Sequence, residues 1–139
     1  MVCERKELKK IFSLENIFLT GYFPRPNETN LINTPITLMQ CQHCDNIQMH
    51  EKVEAEKMFV NYWYRSSTTN TMKNHLKNII SHYGIKNGRL FDIGCNDGTL
   101  IDFANIYGME TFGIDPSNAI KDLPDKYKKN VYNTFFNLS

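Results

Sequence analysis

The chain has 139 residues, of which 41% are hydrophobic and 12% aromatic, so it is globular and has room for one ordinary domain or two small ones. Sixteen basic and fifteen acidic side chains give a net charge of +1, and no overall field would attract nucleic acid or an anionic membrane. The apolar run at residues 11–19 is interrupted by Glu15 and Asn16 and is too short and polar for a membrane span or a signal segment. We therefore expect a cytoplasmic protein.

The first predicted domain, residues 1–60, is centred on the Cys-x-x-Cys pair of Cys41 and Cys44. Short strand-like runs at residues 36–39 and 47–49 flank the pair, as in a zinc ribbon. Three prolines in residues 21–35 predict an irregular connection, because proline resists both helix and sheet interiors. Four cysteines without a secretion signal should be reduced, which favours metal binding or packing over disulfides.

A structural zinc ion normally takes four ligands, so the pair needs two more. Cys3 is the only other cysteine nearby, and its natural partner would stand three residues earlier, so we expect the sequence to begin inside the first Cys-x-x-Cys. His43 or His50 could substitute, His43 less easily because it lies within the turn, and the absence of any metal is a further alternative. The predicted zinc ligands are Cys3, Cys41 and Cys44.

The second predicted domain, residues 61–139, alternates helices and strands. Its elements are a helix at 68–83 with Ser67 or Thr68 as N-cap and Gly84 as its stop, a strand at 89–93, a helix at 99–107 stopped by Gly108, a strand at 109–114, a helical piece at 118–123 and a strand at 130–136. This βαβαβ order predicts parallel strands joined by right-handed crossovers.

The turn after the first strand of this domain is the most informative motif. It reads Asp-x-Gly-x-x-x-Gly from Asp92 to Gly98, and its glycines let the backbone approach a ligand closely. A helix beginning near Thr99 directs its free N–H groups at the same place. Asp115 ends the next strand, where its carboxylate can reach ribose hydroxyls. The turn lacks the Gly-x-Gly-x-x-Gly of a pyrophosphate binder, which favours S-adenosylmethionine (SAM) over NAD.

The cofactor-binding candidates are the residues of this turn and of the loop after the second strand: Asp92, Gly94, Cys95, Asn96, Asp97, Gly98, Asp115, Pro116 and Ser117. Cys95 is most simply a small residue tolerated in the turn. Asn96 and Asp97 either contact the methionine end of the cofactor or cap the following helix. An ordinary strand-to-helix turn without a ligand is the alternative for the whole motif.

Three features in this order resemble one family: the Cys41–Cys44 turn, the segment Tyr-Trp-Tyr-Arg-Ser-Ser at residues 62–67, and the glycine turn at 91–100. The family is the SAM-dependent sugar C-methyltransferases with an N-terminal zinc-binding domain, which methylate a carbon of a nucleotide-linked (dTDP-type) deoxyketosugar. The resemblance runs from Cys3 to about Asn133. It implies four cysteine ligands on Zn²⁺, of which three match here.

The resemblance also implies an α/β fold, in which a zinc-ribbon-like β module precedes the first βαβαβ part of a class I (Rossmann-like) methyltransferase sheet. It implies that Asp115 holds the ribose and that Tyr62 or Tyr64 reaches the cofactor or the sugar. In the implied mechanism a base removes a proton from the ketosugar, and the resulting enolate attacks the methyl group of SAM. The tyrosines position that methyl group or stabilise the oxyanion of the enolate. Aromatic packing is the alternative role, and Trp63 should face away from both tyrosines if the segment is extended.

In this family the chain continues with more strands and a further domain that carries the candidate bases. We therefore expect a fragment that is inactive alone, with one edge of its first strand bare. That edge would pair with the remainder of the methyltransferase chain or with a second copy. The alternatives are a non-catalytic zinc-ribbon interaction module, which the neutral charge disfavours, and an inactive SAM-binding remnant.

Overall fold

The computed structural model describes residues 5–18, 25–29 and 33–137. The chain forms two compact units, Met1–Met58 and Phe59–Ser139, where the sequence suggested a boundary after residue 60. Among the described residues, none of the helices combines the length and apolar character that crossing a membrane requires. The fold is mixed α/β, with an antiparallel sheet in the first unit and a parallel sheet in the second.

The first unit contains a three-stranded antiparallel sheet in the order β1-β2-β3. Its elements are β1 (Leu8–Phe18), β2 (Asn33–Cys41) and β3 (Ile47–Met49), and the short helix α1 (Ala55–Phe59) follows them. The strand-like runs flanking the cysteine pair are confirmed by β2 and β3. The strand β1 was not predicted, because its apolar side chains do not alternate between a buried and an exposed face.

The predicted irregular connection at residues 21–35 is wrong at its end, since β2 already begins at Asn33 and includes Pro35. The register of β1 against β2 shifts between Leu14 and Ile17, directly opposite this proline. Asn16 in the shifted stretch has a φ of 57°, as bulge residues often do. A proline has no N–H to donate, so a bulge is one of the few sheet positions that accepts it.

The second unit contains a three-stranded parallel sheet in the order β4-β5-β6, which confirms the predicted βαβαβ order of parallel strands. Its elements are α2 (Asn70–Tyr83), β4 (Arg89–Ile93), α3 (Thr99–Tyr107), β5 (Glu110–Ile114), α4 (Asp125–Lys128) and β6 (Val131–Tyr132), with 3₁₀ helices at Ser66–Thr68 and Asn118–Asp122. The third strand is shorter than predicted. It ends where the side-chain amide of Asn133 donates to the carbonyls of Asp115 and Ser117 and replaces backbone pairing.

The helix α2 starts two residues later than predicted, at Asn70. Thr69 is the N-cap, and its hydroxyl accepts a hydrogen bond from the Met72 N–H at 3.2 Å, while Ser67 and Thr68 belong to the preceding 3₁₀ helix. The predicted stop at Gly84 is confirmed. Gly108 ends α3 with a φ of 94°, a conformation that favours glycine.

Two small buried clusters hold the helices on one face of the parallel sheet. One contains Ile80, Ala104 and Met109, and the other contains Cys95, Ile101, Leu123 and Tyr127. On β5, a Cβ at Gly113 would lie 2.7 Å from Ile101 Cδ1, so this glycine lets α3 pack closely.

The other face of the parallel sheet carries exposed apolar side chains. Phe91 is 48% exposed and Ile93 is 56% exposed, and both belong to the edge strand β4. Tyr132 on β6 is 60% exposed. Within the described residues no strand pairs with the outer edge of β4.

Candidate functional site

The candidate site lies at the carboxyl ends of β4 and β5, where two loops meet. The strands pair in parallel with Ile93 opposite Ile114, so the glycine turn at 94–98 and the loop at 115–117 leave the sheet side by side. The N–H groups of Gly94 and Cys95 both donate to the Ile114 carbonyl, at 2.8 and 3.2 Å. The turn is therefore fastened to the neighbouring strand.

Asp115 is buried and held by two backbone hydrogen bonds. One carboxylate oxygen accepts the Asn96 N–H at 2.9 Å, and the other accepts the Ser117 N–H at 2.7 Å. Each carboxylate oxygen has a second lone pair, so each can accept one further hydrogen bond from a hydroxyl. The predicted ribose acceptor is thus oriented by the fold, and it also fixes the glycine turn.

Asp92 is the second carboxylate at this end of the sheet. Burial, together with the negative charge of Asp115, raises the pKa of Asp92 to about 6. Its carboxylate has no hydrogen-bond partner within the described residues. Two carboxylates in a half-buried setting favour a cationic group, because its charge would offset their repulsion.

The two turn glycines serve different purposes. Gly94 has a φ of +84°, and a Cβ built there would meet no atom within 4 Å, so the backbone faces open space where a ligand can approach. At Gly98, with a φ of +75°, a Cβ would lie 2.9 Å from the side chain of Leu123. The need for glycine at position 98 is therefore explained by conformation and packing.

Cys95 is placed by the structure in the core rather than toward a ligand. Its side chain is buried beside Ile101 and Leu123, and burial, with the nearby charges of Asp92 and Asp115, raises the pKa of its thiol to about 12. The thiol is protonated at neutral pH and cannot act as a nucleophile. Only the backbone of Cys95 is available to a cofactor.

The segment at residues 60–67, here called the aromatic strap, is irregular at residues 62–65 and enters a 3₁₀ helix at Ser66. It is hydrogen-bonded to the glycine turn and to the start of the 3₁₀ helix that follows the 115–117 loop. The side chain of Asn96 clamps it at two points: its Oδ1 accepts the Ser66 N–H at 3.0 Å, and its Nδ2 donates to the Tyr64 carbonyl at 3.1 Å. Sequence reasoning offered Asn96 as a contact to the cofactor or as a helix cap. In the structure its side-chain amide holds the strap.

Asp97 has two functions in the structure. Its Oδ1 accepts the Thr99 N–H at 3.2 Å and the Thr99 hydroxyl at 2.6 Å, at the first residue of α3, whose N-cap is Gly98. Its Oδ2 accepts the Ser67 N–H at 2.9 Å and adds a third connection to the strap. At the other end of the strap, the Asn118 N–H donates to the Val60 carbonyl at 2.9 Å.

The aromatic side chains of the strap form a connected group. Tyr62 and Tyr64 are half-buried with ring centroids 6.2 Å apart, whereas Trp63 is 52% exposed. Trp63 is thus more exposed than its neighbours, but its ring contacts the Tyr64 ring edge-on with centroids 6.1 Å apart, so the prediction that it faces away from both tyrosines is wrong for Tyr64. Phe59 contacts the Tyr62 ring edge-on, with the ring centroids 6.2 Å apart. Aromatic packing therefore accounts for part of the arrangement of these rings.

Sequence reasoning gave Arg65 no role. Its guanidinium donates to the Tyr62 and Tyr64 carbonyls and to partners 53 and 57 residues further along the chain. The only indication in the sequence was a single arginine among aromatic and serine residues, with no acidic residue close by. Its partners could not be found without the fold.

In the first unit, Cys41 and Cys44 lie on one tight turn. The Asp45 N–H donates to the Cys41 carbonyl at 3.1 Å, and the Cys41 N–H donates to the Asn46 carbonyl at 2.9 Å. Cys41 is buried and Cys44 is exposed, while the third predicted ligand, Cys3, lies outside the described residues.

The two histidines offered as substitute ligands, His43 and His50, are both exposed. In the described part of the chain, no group of three or more histidine, cysteine, aspartate or glutamate side chains is arranged to hold a metal ion. Cys41 and Cys44 are two thiols on one turn, and a structural zinc site takes four ligands.

No model of a known protein family matches this chain, and no similar curated protein was found. The arguments about function therefore come from the site itself. Its distinguishing features are the buried, oriented carboxylate of Asp115, the half-buried carboxylate of Asp92 and the open backbone at Gly94. All three lie at the carboxyl ends of neighbouring parallel strands.

Proposed function

We propose that this chain binds SAM and belongs to an enzyme that transfers the methyl group to a carbon of a nucleotide-linked deoxyketosugar of the dTDP type. The supporting observation is the carboxylate of Asp115, oriented by two backbone hydrogen bonds beside the open turn at Gly94. Open α/β sheets bind their ligands at this end of the strands. The acceptor class comes from the motif resemblance alone.

The residues present fit SAM. In the proposal Asp115 accepts hydrogen bonds from the ribose hydroxyls, Asp92 faces the ammonium group, and the backbone at Gly94 leaves space for the ligand. Bound SAM supplies an electrophilic methyl group on a sulfonium. A cationic ligand suits the two carboxylates, whereas the pyrophosphate of NAD would add negative charge to them.

The roles proposed for Tyr62 and Tyr64 are to position the acceptor and to donate a hydrogen bond to the oxyanion that forms on it. Both rings are half-buried on a segment that is tied to the glycine turn through Asn96. Within the described residues, the opposite face of the sheet is exposed at Phe91 and Ile93. Methyl transfer to carbon needs a general base, and the proposal assigns none among these residues, so we expect SAM binding without sugar turnover by the chain alone.

Calorimetry on the 139-residue chain tests the cofactor assignment. SAM is expected to bind with a dissociation constant of about 1–100 μM, and NAD is expected to bind at least about tenfold more weakly because it adds charge next to two carboxylates. Incubation with labelled SAM and a dTDP-linked 4-ketosugar should give no transfer. Equal binding of NAD, or no binding of SAM, would refute the cofactor proposal, and rapid methyl transfer would refute the inactivity of the isolated chain.

The proposal includes a zinc ion held by Cys3, Cys41 and Cys44, and a cytoplasmic location, where thiol ligands stay reduced. Metal analysis of the purified protein is expected to find about one zinc per chain, since two thiolates on one turn form half of a tetrahedral site. Cys44→Ser should remove most of it. Cys95→Ala is the matched control, because its buried thiol belongs to the other unit. Equal zinc content in both variants, or no zinc in the parent, would contradict the assignment.

A further inference from the structure

The guanidinium of Arg65 joins the aromatic strap to the loop that follows β5. Nη1 donates to the Tyr62 carbonyl at 2.7 Å and to the Tyr64 carbonyl at 3.1 Å. Nη2 donates to Asn118 Oδ1 at 3.3 Å, and Nε pairs with the carboxylate of Asp122. Asn118 and Asp122 are the first and last residues of the 3₁₀ helix that follows the Asp115 loop.

These contacts do little for global stability. The ion pair is partly solvated, with the side chain of Asp122 56% exposed, and exposed ion pairs add little to the free energy of unfolding. What the contacts supply is geometry, since a planar guanidinium directs its donors in fixed directions and a lysine ammonium does not. The effect of Arg65 should therefore be on the placement of the strap.

We propose that Arg65 is a positioning residue of the methyl-transfer site, which holds the backbone of Tyr62 and Tyr64 and so sets where their rings stand relative to the loop carrying Asp115. This inference rests on the proposed function for the identity of the site. Arg65 and the hydrogen bond from the Asn118 N–H to the Val60 carbonyl join the strap to the 3₁₀ helix after that loop, and Asn96 joins the strap to Asp115 itself.

The two tyrosines depend on Arg65 to different degrees. The Tyr64 carbonyl also accepts a hydrogen bond from Asn96, so it keeps one anchor when Arg65 is replaced. The Tyr62 carbonyl is held by Arg65, and the next connection toward the start of the strap is at Val60. Loss of Arg65 should therefore loosen the segment around Tyr62 and Trp63 and leave α2 and the glycine turn in place.

Trp63 reports on this segment directly, because it is the only tryptophan of the chain and it lies between the two tyrosines. In Arg65→Met, the constant for acrylamide quenching of Trp63 fluorescence is expected to rise at least about twofold, as local ordering is lost. Arg65→Lys should behave like Arg65→Met, since it keeps the charge without the fork. Asp122→Ala, which leaves both carbonyl contacts, should give a smaller rise. Arg89→Met, at an exposed position on β4, should give none.

A titration with SAM separates positioning from a merely structural role. In the parent protein saturation with SAM is expected to change Trp63 emission, whereas Arg65→Met should bind SAM within about threefold of the parent affinity and lose that change. Circular dichroism confirms that each variant is folded. Unchanged quenching in folded Arg65→Met would overturn the inference, as would full recovery in Arg65→Lys. If SAM does not bind at all, the proposed function fails, and the quenching series still decides whether Arg65 orders the strap.

Discussion

Asp115→Ala is expected to lower the free energy of unfolding by about 2–4 kcal/mol and to abolish detectable SAM binding. The substitution leaves the N–H groups of Asn96 and Ser117 without the oxygens that accept their hydrogen bonds, and the carboxylate is buried. Each buried N–H left without a partner costs about 1–3 kcal/mol. Urea denaturation followed by circular dichroism measures the stability, and calorimetry measures the binding.

Two variants make this result interpretable. Asp115→Asn keeps one acceptor oxygen but points an amide N–H₂ at a backbone donor, so it should lie between the parent and Asp115→Ala in stability. Asp125→Ala replaces an aspartate whose side chain is 92% exposed and should change stability by less than about 0.5 kcal/mol. A fully stable Asp115→Ala protein that binds SAM normally would remove Asp115 from the site.

Asp92→Asn is expected to stabilise the protein at pH 7 by about 1–3 kcal/mol while weakening SAM binding about tenfold. Burial and the charge of Asp115 raise the pKa of Asp92 to about 6, above its ordinary value of 3.8. The folded state therefore holds this proton more tightly than the unfolded state. The contribution of Asp92 to stability falls as the pH rises from about 4 to about 6, and above that range the ionised carboxylate opposes folding.

The pH dependence provides the test. In the parent protein, SAM binding should weaken as the pH falls below about 6, because the protonated carboxyl no longer attracts a cation. In Asp92→Asn, both this decline and the stability difference between pH 4 and pH 7 that Asp92 causes should disappear. A variant that is less stable than the parent at pH 7 would show that the ionised carboxylate is favourable to the fold.

Local sequence patterns were sufficient for most of the second unit. Four features could be predicted because each depends on residues that are close together in the sequence. They are the apolar spacing of α2, the end of that helix at Gly84, the strand β4 and the glycine turn. The parallel arrangement followed from the order of these elements. Asp115 was found by its spacing from the glycine turn.

Long-range pairing decided what the sequence did not show. In the strand β1 the consecutive residues Ile11 and Phe12 are 44% and 48% exposed, so its apolar side chains do not alternate between two faces, and its pairing with β2 defines it. Pro35 enters a strand only because the partner strand bulges opposite it.

In the candidate site too, some features could be predicted from the sequence and others depend on the fold. The residue types at Asp92, Asp115 and the turn glycines were visible in the sequence and indicated a nucleoside ligand. The raised pKa of Asp92 depends on burial and on a charge from the neighbouring strand, and Arg65 finds its partners 53 and 57 residues away. The sequence by itself therefore determined which groups the site contains, whereas the tertiary structure decided their charge and their orientation, because both depend on residues that only folding brings together.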